Sequence, residues 1–513
     1  MRTRTALMRA LLAATVVAGL AGATAATAGD TDRDDDRRWQ KKRADYQAGV
    51  NVPVVSTPNI DLVTTFPETQ AISGTFATSA PYFYVSSLDS ISVFDVSDPL
   101  QPKLTGTLPN LVFENEAMNY GEQTVDGTTH RFVLVGNDLY QSAPTDDPTH
   151  VNAGGGEMMV VDVTDPTSPH IRSRIKVPTS THTVACIQET SCEYAYTAGN
   201  KGRFSIIDLR DLDTPKLLHE TLESSPESPA AAPNAAFSGG AGHKWNFDTA
   251  GYGLHTGSGG TAIFDVRDPA DPRLVTTTDF GDSPAEWNDF IHHNSARPNA
   301  GKFSPGAPPS VANGNVLLVT EEDYENTDCA TAGSFQTWYV EKLDGSPARI
   351  TKLDKINPVD VGEGVALPHM AFCSAHWFDF HQSGIVAQGY YEGGLRLMDV
   401  RDPRNITEYG YFASGLSEVW DAYWVPVRNR KGSVTGAKTN IVYTADLVRG
   451  LDVFTVDLPG GDTSPAAPAA VDVAAPLSTD RPTVPPANLL VVALALLPLF
   501  GLGAASRRRV LRH

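Results

Sequence analysis

Histidine and carboxylate side chains occur at one repeated position of this chain. Each repeat unit contains a short β-rich segment, and the first aligned residue of that segment is polar in every unit. In chain order these residues are Ser73, Glu116, His182, His243, His293, His376 and Asp421. Imidazole and carboxylate groups are ligands of zinc, copper, iron and manganese. We therefore predict a metal site formed by His182, His243, His293 and His376 together with Glu116 and Asp421.

A structural role for the same histidines is the alternative interpretation. A residue copied by duplication can form a hydrogen bond between neighbouring units, because buried polar groups usually need such a partner. No local metal motif, such as His-Glu-x-x-His on a helix, accompanies these histidines. The metal hypothesis therefore requires an architecture that brings equivalent positions of the units together around one axis.

A short phrase marks each repeat unit: an apolar run followed by Asp-x-x-Asp, usually with Pro after it. Five copies are clear and the last is degenerate, at residues 91–99, 158–166, 204–211, 261–269, 395–403 and 451–457. A run rich in β-branched residues predicts a strand, and the Asp and Pro predict the turn that follows it. Further β-rich runs flank each phrase, so each unit is predicted to be a four-stranded antiparallel meander.

Seven such units are predicted. The interval between Asp265 and Asp399 is twice that between Asp95 and Asp162, which places a degenerate unit at residues 336–340. Seven four-stranded sheets arranged radially form an all-β, seven-bladed β-propeller, and an open solenoid is the alternative. The last unit lacks an outer strand. An N-terminal strand at residues 60–66, similar to the outer strand at 273–278, is predicted to close this last blade, giving a propeller over residues 59–458.

The phrase at residues 91–102 resembles the LVIVD-repeat family almost residue for residue, and the resemblance extends over about residues 60–458. It implies a secreted or cell-surface β-propeller but little biochemistry. The layout is also loosely similar to the propellers of selenium-binding protein and methanethiol oxidase, which carry histidines near the channel. That second likeness rests on architecture and not on a motif.

The N-terminal end of the chain is predicted to direct export. Residues 1–28 combine Arg2 and Arg4 with a short apolar stretch and end in small residues. This pattern predicts a secretory signal peptide that is cleaved before Gly29. A charged segment, residues 29–58, lies between the signal peptide and the propeller.

The C-terminal end is predicted to anchor the protein in a membrane. Residues 459–486 are rich in Pro and Ala and predict an extended stalk. Residues 487–505 are uncharged and apolar over a length that can cross a bilayer as a transmembrane helix. The basic residues of the tail, 506–513, place that tail in the cytoplasm and the propeller outside. A tail removed by a sorting enzyme has the same layout and stays an alternative.

Charge and cysteine content agree with an extracellular protein. The net charge of −20 argues against a nucleic-acid partner. Four cysteines are an even number in an exported chain, which favours two disulfides, Cys186–Cys192 and Cys329–Cys373. Free thiols that serve as metal ligands or nucleophiles are the alternative.

Two other features could carry function. Residues 321–325 contain four carboxylates, and we expect them to form a solvated acidic loop instead of a calcium site. The insertions at 141–156, 223–242 and 299–314 lengthen the loops of some units, and such loops commonly bind partners.

These observations predict a membrane-anchored extracellular binding or interaction module. Its partner would be a protein, a glycan or a small molecule. The alternative is a metal-dependent extracellular enzyme of oxidase type, with a divalent or transition-metal ion held by the histidines in the central channel. No other cofactor is predicted.

Overall fold

The computed structural model describes residues 28–87, 89–109, 116, 118–137, 156–177, 181–199, 203–219, 242–278, 287, 288, 290–323, 332–346, 350–357 and 373–460. The predicted stalk, transmembrane helix and cytoplasmic tail lie outside these residues, as does all of the predicted signal peptide except its last residue. Within the part of the chain that is described, no helix is long and apolar enough to span a bilayer.

The N-terminal charged segment contains regular structure that the sequence did not suggest. Helix α1 (Ala28–Gln47) and strand β1 (Val54–Ser56) form it, and the predicted strand β2 (Ile60–Phe66) follows. On α1, Trp39 and Arg43 are buried and Tyr46 is half-buried. Their spacing of four and three residues places them on one face of the helix. That face packs on the propeller.

The remaining strands form the blades in chain order. Blade 1 has β3 (Ala71–Phe76), β4 (Tyr82–Ser87), β5 (Ser90–Asp95) and β6 (Lys103–Pro109). Blade 2 has β7 (Asn119–Val125), β8 (Thr128–Asn137), β9 (Glu157–Asp162) and β10 (His170–Lys176). Blade 3 has β11 (Thr183–Cys186), β12 (Tyr194–Ala198), β13 (Ile206–Asp208) and β14 (Lys216–His219). Blade 4 has β15 (Gly242–Phe247), β16 (Tyr252–Gly257), β17 (Gly260–Asp265) and β18 (Arg273–Thr277).

The last three blades follow the same pattern. Blade 5 has β19 (Ile291–Ala296), β20 (Val316–Glu322), β21 (Phe335–Val340) and β22 (Ile350–Ile356). Blade 6 has β23 (Phe378–Phe380), β24 (Ile385–Gly389), β25 (Leu395–Asp399) and β26 (Thr407–Ser414). Blade 7 has β27 (Val419–Arg428), β28 (Val434–Asp446) and β29 (Gly450–Val456), which follow blade 6 in the sequence.

The described strands form seven antiparallel sheets, which confirms the seven-bladed propeller. Strand β2 pairs with β29, with Ile60 opposite Val456 and Phe66 opposite Leu451. The N-terminal strand therefore closes blade 7, as predicted. Strand β1 adds a fifth strand to blade 6 by pairing with β26, which the sequence did not suggest. Both N-terminal strands cover edges that would otherwise be unpaired.

The repeated phrase has the structural role that its residues predict. Its apolar side chains are buried between adjacent blades, as Val93 and Val161 are between blades 1 and 2. Its second aspartate caps the following turn: Asp98 Oδ1 accepts a hydrogen bond from the backbone N–H of Leu100 at 3.1 Å. The phrase therefore sets strand and turn geometry and contributes no chemistry of its own.

One predicted disulfide is present. Cys186 and Cys192 are bonded across the hairpin between β11 and β12, with their Cα atoms 5.7 Å apart. Cys373 is also disulfide-bonded. Its predicted partner, Cys329, lies outside the described residues. A disulfide is consistent with an extracellular location.

Candidate metal centre

The residues of the repeated polar position lie near the start of the innermost strands. His243 and His293 are on β15 and β19, His182 directly precedes β11, and His376 precedes β23 by two residues. The pairing register shifts between Gly242 and Trp245 in β15 and between His292 and Asn294 in β19. Such β-bulges redirect side chains and are frequent beside functional sites. The bulges therefore lie at the positions of the imidazoles.

Four imidazoles converge on one carboxylate oxygen. The Nε2 atoms of His182, His243, His293 and His376 lie 3.2, 3.4, 3.5 and 3.9 Å from Glu116 Oε2. The structure thus brings together five of the six predicted ligands, from blade 3 to blade 6 and from the segment that precedes β7. Glu116 forms one candidate triad with His293 and His376 and another with His182 and His243. Within each triad the donor atoms lie within 4.8 Å of one another, which is close enough for one ion to contact all three.

The cluster is almost fully enclosed. The side chains of His293 and His376 have no exposed surface, whereas that of His182 keeps 18% of its surface exposed. The Trp377 ring lies 4.5 Å from the His293 ring, and Lys244 Nζ lies 3.3 Å from the centroid of the same indole. Because the cluster is shielded from water, charges in it interact more strongly than they would in solution.

The His376 imidazole is fixed in one tautomer. Its Nδ1 lies 2.6 Å from the backbone oxygen of Trp420. A carbonyl oxygen only accepts hydrogen bonds, so the proton is on Nδ1 and the Nε2 lone pair faces the cluster. Trp420 belongs to blade 7, so this is also a bond between blades. His376 therefore makes the bond between blades that a structural role requires and also directs an Nε2 lone pair at the cluster, an arrangement common among metal-binding histidines.

The protonation states also suit metal binding. Burial alone would raise the pKa of Glu116, but the neighbouring imidazoles, His182 first, hold it well below its usual range. Burial, and secondly the neighbouring His182, lower the pKa of His243 to about 4. Burial likewise lowers the pKa of His293 and of His376. Neutral imidazoles and an ionised carboxylate are the forms that bind a metal ion.

A second carboxylate belongs to the cluster and was not predicted. Glu322 Oε2 lies 3.5 Å from His293 Nε2, and Glu322 Oε1 lies 3.8 Å from His376 Nε2. Glu321 and Glu322 end strand β20, and they are buried together with Asp323. The expectation of a solvated acidic loop is therefore wrong for residues 321–323. Their position directly after the apolar run 316–319 could have indicated that the strand continues.

Asp421 is the predicted ligand that the structure does not bring to the imidazoles. Its carboxylate accepts hydrogen bonds from the Tyr423 hydroxyl and from the backbone N–H of Ala422. Burial raises the pKa of Asp421 to about 8 and lowers that of Lys244 to about 8. Among the described residues, the candidate metal-binding groups contain Glu116 and Glu322 but not Asp421. Ser73, the remaining residue of the repeated polar position, is buried on β3.

Fold and site together describe a seven-bladed β-propeller with a buried histidine–glutamate cluster at the start of its inner strands. The LVIVD repeat family matches residues 149–177, which confirms the resemblance seen in the repeated phrase. These features support a binding or interaction module as the general class of the protein.

The chain is also similar to a solved β-propeller structure. The β-propeller domain of Cps50 (Swd1) from Myceliophteria thermophila is 11% identical and has a TM-score of 0.47. The match covers 77% of this chain and 99% of that one. No curated protein matches the chain significantly in sequence.

Proposed function

We propose that this protein is an exported binding module whose central channel holds one divalent transition-metal ion. The observation that carries the proposal is the convergence of four Nε2 atoms on one Glu116 oxygen, all within 3.9 Å. The proposed ligands are His182, His243, His293, His376 and Glu116, with Glu322 beside them.

The electrostatics of the cluster favour a cation. In His376 a lone pair, not an N–H group, faces the ionised Glu116 carboxylate, because the ring proton is on Nδ1. A lone pair and an anion repel each other in a buried site, where water does not screen them. A metal ion between them would convert this repulsion into two attractive contacts. A purely structural histidine would instead direct an N–H group at the carboxylate.

The ligand set favours particular metals. Imidazole nitrogen suits zinc, copper, iron and nickel, whereas magnesium and calcium prefer sites made of oxygen ligands. The predicted oxidase activity stays a proposal, and it requires copper, iron or manganese with one coordination position open to substrate. The partly exposed His182 marks the side of the cluster nearest to solvent.

Export and presentation at the cell surface also remain proposals. The Cys186–Cys192 disulfide supports an oxidising compartment. The sequence patterns of residues 1–28 and 487–505 support a signal peptide and a membrane anchor. The partner would then be an extracellular protein, glycan or small molecule.

Metal titration tests the proposed site. The full-length chain is stripped with chelator and titrated with Mn²⁺, Fe²⁺, Co²⁺, Cu²⁺ and Zn²⁺ in a calorimeter. We expect one ion to bind per chain and His376→Ala to weaken that binding by more than about 100-fold, because a ligand is lost. His170 is an exposed histidine on β10, so His170→Ala is the matched control and should bind as the wild type does. A wild-type chain that binds none of the five ions would contradict the proposal, as would equal binding by the two variants.

A further inference from the structure

A strained turn lies beside the proposed metal ligands. Residues 390–394 connect β24 and β25, and Tyr391 in this turn has a φ of 46° although it is not glycine. A bulky side chain in the left-handed region costs free energy, and such residues cluster at functional sites. The Tyr391 N–H donates to the Val419 oxygen at 2.8 Å, and the Val419 N–H donates back at 2.9 Å. The turn is therefore held on blade 7 in spite of its strain.

The Tyr391 side chain reaches the metal cluster. Its hydroxyl donates a hydrogen bond to Glu322 Oε1, and its ring lies 4.8 Å from the His376 ring. This hydrogen bond engages one oxygen of the Glu322 carboxylate, Oε1. The other oxygen, Glu322 Oε2, faces His293 Nε2 at 3.5 Å. Glu322 Oε1 also lies 3.8 Å from His376 Nε2. Tyr391 therefore holds the Glu322 carboxylate in the orientation that directs Oε2 at His293.

The next residue in the turn binds the N-terminal helix. The carboxylate of Glu392 pairs with Lys42 Nζ at 2.6 Å and with Arg38 Nε at 3.0 Å, both on α1. Because the Glu392 side chain is mostly buried, water screens these ion pairs less than it screens pairs on the surface.

Other contacts fix α1 beside the same turn. Trp39 packs in an apolar cluster with Leu416, Leu447 and Val448, and the half-buried Trp420 lies against that cluster. The Arg43 guanidinium donates to the Val448 oxygen at 2.7 Å. Trp420 also supplies the backbone oxygen that holds His376. The helix therefore contacts two elements that orient cluster residues, namely the turn and the segment around Trp420.

We infer that Tyr391 is a positioning residue for the metal centre, and that docking of α1 on Glu392 holds Tyr391 in place. In this account the Tyr391 hydroxyl orients Glu322 toward the ion, and the helix maintains the strained backbone that makes this contact possible. The inference rests on the proposed metal site and adds to it a ligand-orienting residue and a mechanical link to the N-terminal segment.

Two tyrosine variants test the positioning role. Tyr391→Phe removes the hydroxyl that contacts Glu322. Tyr390→Phe, the matched control, removes a buried hydroxyl of the same turn that donates to the Gly333 oxygen at 3.3 Å. We expect Tyr391→Phe to weaken metal binding by roughly 10–100-fold, the usual effect of losing a residue that orients a ligand. The visible spectrum of the Co²⁺-loaded chain should also change in Tyr391→Phe and stay unchanged in Tyr390→Phe, since it reports coordination geometry.

A third variant tests the link to the helix. Glu392→Gln removes the charge that binds Lys42 and Arg38, whereas Asp45→Asn removes an exposed pair with Lys41 on the same helix. We expect Glu392→Gln to weaken metal binding and Asp45→Asn to leave it unchanged. In the Tyr391→Phe background, Glu392→Gln should have no further effect, because both act through one contact.

The outcomes separate this inference from the proposed function. If the wild-type chain binds no metal, both are overturned. If it binds metal but Tyr391→Phe and Tyr390→Phe have equal affinities and spectra, only the positioning role is overturned. If Glu392→Gln binds like the wild type, or its effect adds fully to that of Tyr391→Phe, the link to the helix is overturned.

Discussion

At the scale of single residues, the cluster is defined by what each polar group faces. His376 donates from Nδ1 to a backbone oxygen and presents Nε2 to Glu116. Glu322 is held by Tyr391 and faces His293. Each of these groups is thus oriented by a contact outside the cluster, which is how proteins fix metal ligands before the ion arrives.

The lowered histidine pKa values predict a pH dependence for the metal-free protein. The pKa of His243 is about 4 in the folded chain and 6.5 ordinarily. Between these values the unfolded chain binds a proton that the folded chain does not. Stability is therefore highest above pH 6.5 and falls toward pH 4, by about 1.4 kcal/mol per pH unit for one such histidine.

Urea unfolding in chelator at several pH values between 4.5 and 7.5 measures this dependence. His243→Gln should give a shallower decline in unfolding free energy toward low pH than the wild type, because one titrating group is gone. His170→Gln changes an exposed histidine and should leave the slope unchanged. Identical slopes in all three proteins would show that the buried imidazole does not contribute as described.

The repeat made part of the site predictable. Glu116 and the four histidines could be aligned because they share one position relative to the repeated phrase. Glu322 and Tyr391 could not, since they lie at the end of a second strand and in a turn where no repeated residue marks them. Asp421 shares the aligned position but contacts Tyr423 instead, so equivalent sequence positions do not guarantee equivalent side-chain directions.

At the scale of the secondary-structure elements, ring closure depends on the N-terminal strand β2. Its inward residue Ile60 is buried with Phe454 and Val456, the residues of the strand it pairs with. The closing strand was predictable because residues 60–66 resemble another outer strand. Helix α1 and strand β1 were not, since their charged or exposed sequences lack the apolar periodicity by which an amphipathic element is recognised.

Two substitutions on β2 test its contribution to stability. Ile60→Ala should lower the unfolding free energy by about 2–5 kcal/mol, the usual cost of removing a large buried aliphatic side chain. Leu62→Ala is the control on the same strand: its side chain is exposed, and its effect should stay within about 0.5 kcal/mol. Urea unfolding monitored by fluorescence measures both. Equal effects would contradict the role of Ile60 in closing the ring.

At the scale of the whole molecule, the closed propeller brings together residues that are far apart in the sequence. Glu116 and His376 are separated by most of the repeat region, yet the circular arrangement of blades brings them into one cluster. The seven sheets provide the rigid frame, and the N-terminal segment binds blades 6 and 7 through β1 and β2. A buried site built from five separate segments requires the complete ring, so no isolated blade could form it.

Elemental analysis of the full-length chain, purified without added metal or chelator, tests the central claim most directly. We expect about one transition-metal ion per chain in the wild type, since the four Nε2 atoms converge on one Glu116 oxygen. The double variant His243→Ala/His376→Ala should contain almost none, while His170→Ala should keep its full content. A wild-type protein purified without a bound transition metal, or a double variant with the same metal content as the wild type, would contradict it.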